Sequence, residues 1–116
     1  MEKKNVIKEK SFAFAIEVVY HYKVLTEKKE FVLSKQLLRS GTSIGANVRE
    51  SEHAQSKADF IHKLSLALKE ANETEYWLDL LYETKYLSQI EFENIKPKIV
   101  ELLKLLTSII NTSKTK

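Results

Sequence analysis

The sequence predicts an all-α protein, an antiparallel up-down-up-down four-helix bundle, and three observations carry that prediction. Apolar residues recur at three- and four-residue spacing through four separate segments. Turn-forming residues are scarce, with Gly 2 and Pro 1 in 116 residues, too few for the reversals of an all-β fold. Ser56-Lys57-Ala58-Asp59 and Ser88-Gln89-Ile90-Glu91 both read as capping patterns that open helices.

Helix one is predicted from about Ser11 to Leu25, with Phe12, Ala15, Val19 and Tyr22 on one line and Phe14, Val18 and Leu25 beside it. The charged run Thr26-Glu27-Lys28-Lys29-Glu30 ends it. Helix two is predicted from Ser34, as N-cap, to about Ala54. Gly41 and Gly45 lie four apart on its core side, where a missing Cβ lets a neighbouring backbone approach. Helix three follows the Ser56 cap, with Phe60, Leu64, Ala67, Ala71, Leu78 and Leu81 facing the core. Helix four follows Ser88, with Phe92, Ile95, Ile99, Leu102, Leu106 and Ile109 inward. Pro97 is expected to kink it or mark its true start. Residues 1–116 form one domain, with 1–8 and 113–116 expected to fray.

Composition narrows the function classes. A hydrophobic share of 43% with 30% charged residues is that of a globular helical protein. Cys 0 removes disulfides, thiolate metal sites and a cysteine nucleophile together, and fits a reducing cytoplasm. The apolar run from Phe12 to Ile16 is stopped by Glu17, too short for a secretory signal. No segment reaches the roughly 18 apolar residues of a membrane span. The expectation is a cytoplasmic protein without a membrane partner.

On helix two, Gln36, Ser40, Ser43, Asn47 and Glu50 form a polar row about 100° around the axis from the apolar stripe. Ser, Asn and Gly weaken a helix interior, so the row serves either a structural contact or recognition. Net charge is +3, but residues 56–88 sum to −2, which concentrates positive charge toward the termini. Lys35, Arg39 and Arg49 on helix two, with Lys8, Lys10 and Lys57 near one bundle end, are the candidate nucleic-acid contacts. Helix three is apolar on a second side through Leu66, Trp77 and Leu80, which marks a candidate oligomer interface. Glu50-Ser51-Glu52-His53 and Asp59-Phe60-Ile61-His62 carry E-x-x-H and D-x-x-H spacings, a rival di-metal carboxylate reading. Asp59 is more simply the capping partner of Ser56, and His21 after Glu17 more simply a surface pair. No nucleophile–base order or cofactor motif is present, so no enzyme, metal or cofactor is predicted.

The run Gln36-Leu37-Leu38-Arg39-Ser40-Gly41-Thr42-Ser43-Ile44-Gly45-Ala46-Asn47-Val48-Arg49-Glu50 resembles the signature of the 23S rRNA intervening-sequence (S23-like) four-helix-bundle proteins. Ser56-Lys57-Ala58-Asp59-Phe60 and Ala67-Leu68-Lys69-Glu70-Ala71-Asn72-Glu73-Thr74 match the next block in register. The resemblance implies a homopentamer, as in the related accessory variability proteins of diversity-generating retroelements. Those relatives are associated with nucleic acid and a reverse transcriptase. The expectation is a non-enzymatic oligomeric module that binds RNA, DNA or a nucleic-acid-processing protein. The alternative is a structural or protein-interaction oligomer without nucleic-acid affinity.

Overall fold

The computed structural model describes the backbone of residues 2–115 and the side chains of 6–115. Four helices account for nearly all of it: α1 (Glu2–Glu27), α2 (Leu33–Ser51), α3 (Lys57–Glu83) and α4 (Gln89–Lys114). No strand occurs among the described residues. The helices form a four-helix bundle of 46 × 21 × 20 Å. Cross-helix pairs fit neighbours that run oppositely. Along α2 and α3, Ser40 meets Thr74 and Glu50 meets Lys63, so one number rises as the other falls. Lys10–Glu101 and Glu17–Lys98 show the same for α1 and α4. The α2–α3 interface is the most extensive, and α1 touches α4 least.

The core takes Ile7, Phe14, Val18 and Leu25 from α1, and Leu37, Ile44 and Val48 from α2. Leu64, Ala67, Ala71, Leu78 and Leu81 come from α3, with Ile95, Ile99, Leu102, Leu106 and Ile110 from α4. For α3 and α4 this is the stripe the sequence predicts, except that Phe60, Phe92 and Ile109 are only half-buried. For α1 it is not. The helix starts at Glu2 rather than Ser11, and Phe12 and Val19 face solvent while Ile7, Ser11 and His21 turn inward. The reason is that α1 carries apolar residues on two faces between Phe12 and Leu25, so periodicity alone cannot choose its buried face.

Gly41 makes the choice. A Cβ at Gly41 would lie 2.7 and 2.8 Å from the two Val18 methyl carbons, so the α1 side chain fills the space that glycine leaves. Gly45 lies against the Ser11 backbone at an ordinary 3.4 Å. Gly41 thus lets α1 approach α2 closely and sets its rotation.

The start of α2 also differs from the sequence reading. Ser34 is not the cap of α2; it lies inside the helix and is buried. The Glu30 carboxylate caps instead, accepting from the backbone N–H groups of Val32 (3.2 Å), Leu33 (3.0 Å) and Ser34 (2.6 Å). A carboxylate two residues before the N-cap Val32 reaches more orphan donors than a serine hydroxyl at the helix start. Burial opposes ionisation of Glu30, but the three N–H donors outweigh it and its pKa is lowered. Ser88 and Glu91 make the full reciprocal capping box, at 3.1 and 2.9 Å. Ser56 accepts from Asp59 N–H at 3.0 Å, while the Asp59 carboxylate reaches back to the Gln55 N–H at 3.2 Å.

α2 ends at Ser51 rather than near Ala54, and α4 runs through Pro97 from Gln89 to Lys114. Lys96 beside that proline pairs with Asp79 and Glu75, tying α4 to α3. α1 and α3 are each followed by a lysine in the left-handed region, Lys29 at φ 67° and Lys85 at φ 70°. Behind each, a backbone N–H returns to the helix, Glu30 to Leu25 C=O (3.0 Å) and Tyr86 to Leu81 C=O (2.8 Å). Lys28 Nζ donates to the Tyr86 carbonyl at 3.3 Å, joining the two turns at one bundle end.

Two stability tests follow from these contacts. Gly41→Ala is expected to cost about 1–3 kcal/mol by overpacking Val18, whereas Gly45→Ala should be neutral or stabilising by up to about 1 kcal/mol through helix propensity. Urea unfolding of both variants checks the contrast, and equal effects would show that the helices do not meet this way. Glu30→Ala should cost about 0.5–2 kcal/mol. Because its folded pKa lies below the ordinary value near 4.5, Glu30 stabilises fully above that value. This contribution disappears as pH falls through the folded pKa. Unfolding measured from pH 7 to 3 should therefore show a smaller acid loss in the variant.

Candidate functional site

The polar row on α2 faces α3, and its side chains are engaged there or on their own helix. Ser40 is fully buried and lies 2.9 Å from the Thr74 hydroxyl, also fully buried. Thr74 has one proton to donate, to Ser40 or to the Glu70 carbonyl at 2.7 Å. In the second arrangement Ser40 donates between the hydroxyls, so the pair stays satisfied either way. Ser43 Oγ donates to the Arg39 carbonyl (2.6 Å) and Asn47 Nδ2 to the Ser43 carbonyl (2.9 Å). Gln36 accepts from Arg39 at 3.3 Å, and Glu50 pairs with Lys63 at 3.5 Å. Of these, the Ser40–Thr74 hydrogen bond and the Glu50–Lys63 pair cross from α2 to α3.

The candidate basic residues divide into two groups. Arg39 is tied to Glu73 and lies 3.7 Å from Glu70. Lys8 pairs with Glu52 at 3.3 Å and Lys10 with Glu101 at 3.1 Å. Their positive charge is offset locally. Lys35 and Lys57 are exposed and make no ion pair among the described residues. Arg49, also exposed, places its guanidinium 5.5 Å from the centre of the Phe12 ring, a cation–π contact between α2 and α1.

Leu66, Trp77 and Leu80 on α3 are half-buried. Trp77 packs against the core, donates its indole N–H to Glu73 at 3.1 Å, and meets Tyr76 edge-on at 5.0 Å. A larger exposed apolar surface lies elsewhere. Phe12, Ile16, Val19 and Tyr20 on the outer side of α1 are 54%, 57%, 36% and 60% exposed. Their spacing of four, three and one places them on one face, opposite the core. The signal in the sequence was the run Phe12-Ala13-Phe14-Ala15-Ile16-Glu17-Val18-Val19-Tyr20, which supplies two apolar faces to one helix.

His21 is buried, contrary to its reading as a surface pair, and its Nδ1 has no hydrogen-bond partner. Burial lowers its pKa from the ordinary 6.5, against the pull of Glu91 and Glu17 and with the help of Lys28 and Lys98. His53 and His62 are both exposed. Among the described residues no three His, Asp or Glu side chains gather as metal ligands, and the E-x-x-H and D-x-x-H pairs do not converge. No described helix is long and apolar enough to cross a membrane.

Comparison with known proteins adds a family to this geometry. The family model described as 23S rRNA-intervening sequence protein matches residues 3–108. A crystal structure of a protein with unknown function from the S23 ribosomal protein family of Bacteroides thetaiotaomicron is 61% identical, with a TM-score of 0.92. The match covers 94% of this chain and 98% of that one. No curated protein matches.

His21 generates a pH test. With a folded pKa below 6.5, the unfolded chain takes up the proton first. Stability should therefore decline as pH falls below that value and level off, for this group, below the folded pKa. His21→Phe should flatten the stability curve between about pH 7 and 5. Chemical unfolding across that range checks it, and an unchanged slope would remove His21 as the source.

Proposed function

The chain belongs to the 23S rRNA-intervening sequence protein family, and from that premise we propose that it is a non-enzymatic, self-associating helical module that binds nucleic acid through its assembly. The observation that carries self-association is the outer face of α1. Four large apolar side chains in one stripe on a small protein are costly to leave in water. A second copy is the simplest cover. The half-buried Leu66, Trp77 and Leu80 lie on a different helix from that stripe. Pairing one face with the other is heterologous, and such contacts generate a ring when the rotation closes. Five copies is our reading of that ring.

The nucleic-acid part rests on charge. Lys35, Arg49 and Lys57 are exposed cations outside the internal ion pairs, and a ring repeats each of them around its axis. Repetition raises the local potential, so a chain of +3 becomes a strongly basic particle. Arg39 contributes less, because Glu70 and Glu73 already hold it. A protein partner that processes nucleic acid would dock on the same assembly.

Light scattering should give a mass several times 13.5 kDa. Phe12→Glu with Ile16→Glu should reduce that mass to one chain with helicity intact, and Trp77→Ala with Leu66→Ser should reduce it in part. A monomer in the unaltered protein would overturn self-association. Fluorescence anisotropy with single-stranded RNA, double-stranded RNA and DNA tests the second part. Affinity should fall steeply between roughly 50 and 200 mM salt, and Arg49→Ala with Lys35→Ala should weaken binding and flatten the slope. Oligomers that bind none of the three would instead support a protein-interaction role.

A further inference from the structure

At the bundle end opposite the Lys28–Tyr86 link, the helices leave a half-open cavity of about 440 Å³. Its walls are Ile7, Val48, Phe60, Leu64 and Ile109, one or more side chains from every helix. Its rim carries Ala54, Ser51, Ser56 and Glu52. The size is that of pockets which take small organic ligands, about 300–1,000 Å³. Water gains few hydrogen bonds inside such walls, so an apolar group that displaces it is favoured.

The rim decides what kind of molecule fits. Ser51 Oγ already donates to the Val48 carbonyl at 2.6 Å, and Ser56 Oγ already accepts from Asp59 N–H. Glu52 is the one charged lining residue. It pairs with Lys8 at 3.3 Å, and both partners are about a third exposed, so the pair is weak and exchangeable. A carboxylate accepts several hydrogen bonds at once, and among the described residues Lys8 is the one side chain that pairs with Glu52. We propose that this end of the bundle is a binding site for a small amine whose aromatic ring or short hydrocarbon chain enters the cavity while its ammonium group pairs with Glu52. The site is separate from the outer face of α1 and does not depend on self-association.

The probe is 2-phenylethylamine, compared with 3-phenylpropionate, which carries the same ring and linker but a carboxylate. Both are titrated to about 10 mM into the full chain and followed by NMR of backbone amides and methyl groups. The amine should give saturable shifts at Ile7, Val48, Phe60, Leu64 and Ile109, and the acid should bind at least about tenfold more weakly. Glu52→Gln should bring the two within about threefold, and Lys8→Gln should tighten the amine. Ala54→Phe should fill the cavity and abolish the shifts with helicity retained. Equal binding of acid and amine, or amine shifts that survive Ala54→Phe, would overturn the proposal. So would the absence of saturable amine shifts at these residues in the unaltered chain. The Glu52→Gln comparison decides the matter if Ala54→Phe does not fold.

Discussion

The close approach of α1 to α2 at Gly41 is the constraint on which the arrangement of the rest depends. The Val18 methyls occupy the space where a Cβ would stand, so the rotation of α1 about its axis is fixed by sterics rather than by its own sequence. That rotation buries Phe14, Val18 and Leu25 and leaves Phe12, Ile16, Val19 and Tyr20 outside. A helix with two apolar faces could have buried either. One missing side chain on a neighbour decides which face is core and which is offered to solvent.

The same helix, α2, works on its other flank through polar contacts. Ser40 and Thr74 share a buried hydroxyl pair, and Arg39, Glu70, Glu73 and Gln36 close the seam above it. Packing two polar stripes in an interior is tolerable only when each group is satisfied. Here nearly all are, with Glu70 Oε1 the buried atom on that seam left without a hydrogen bond. α2 therefore holds α1 by shape and α3 by hydrogen bonds. α1 and α4 meet through the ion pairs Lys10–Glu101 and Glu17–Lys98, near the buried His21. The bundle is unevenly tied, and its lightest seam lies beside a histidine whose pKa burial lowers.

Surface chemistry follows from where these contacts consume charge. Lysines and arginines that look equivalent along the chain become unequal once paired. Lys8, Lys10 and Arg39 serve helix–helix contacts, whereas Lys35, Arg49 and Lys57 remain available. The carboxylates divide similarly. Glu30 and Glu91 terminate helices through backbone N–H groups, while Glu52 lies at the mouth of an apolar cavity.

The sequence by itself determined the fold class, the number of helices, the core stripes of α3 and α4 and the caps at Ser56 and Ser88. Each of those follows from local spacing, which the chain carries wherever it folds. The small-residue contact at Gly41 and the family resemblance were legible too, since both rest on short uninterrupted runs. Only the tertiary structure decided the buried face of α1, the burial of His21, the capping of α2 by Glu30 and the pairing of each basic residue. Those depend on which side chain stands across a gap from which, and helical periodicity holds no information about a partner tens of residues away. The cavity near Glu52 is of that kind as well, because it exists only where the ends of four helices fail to close.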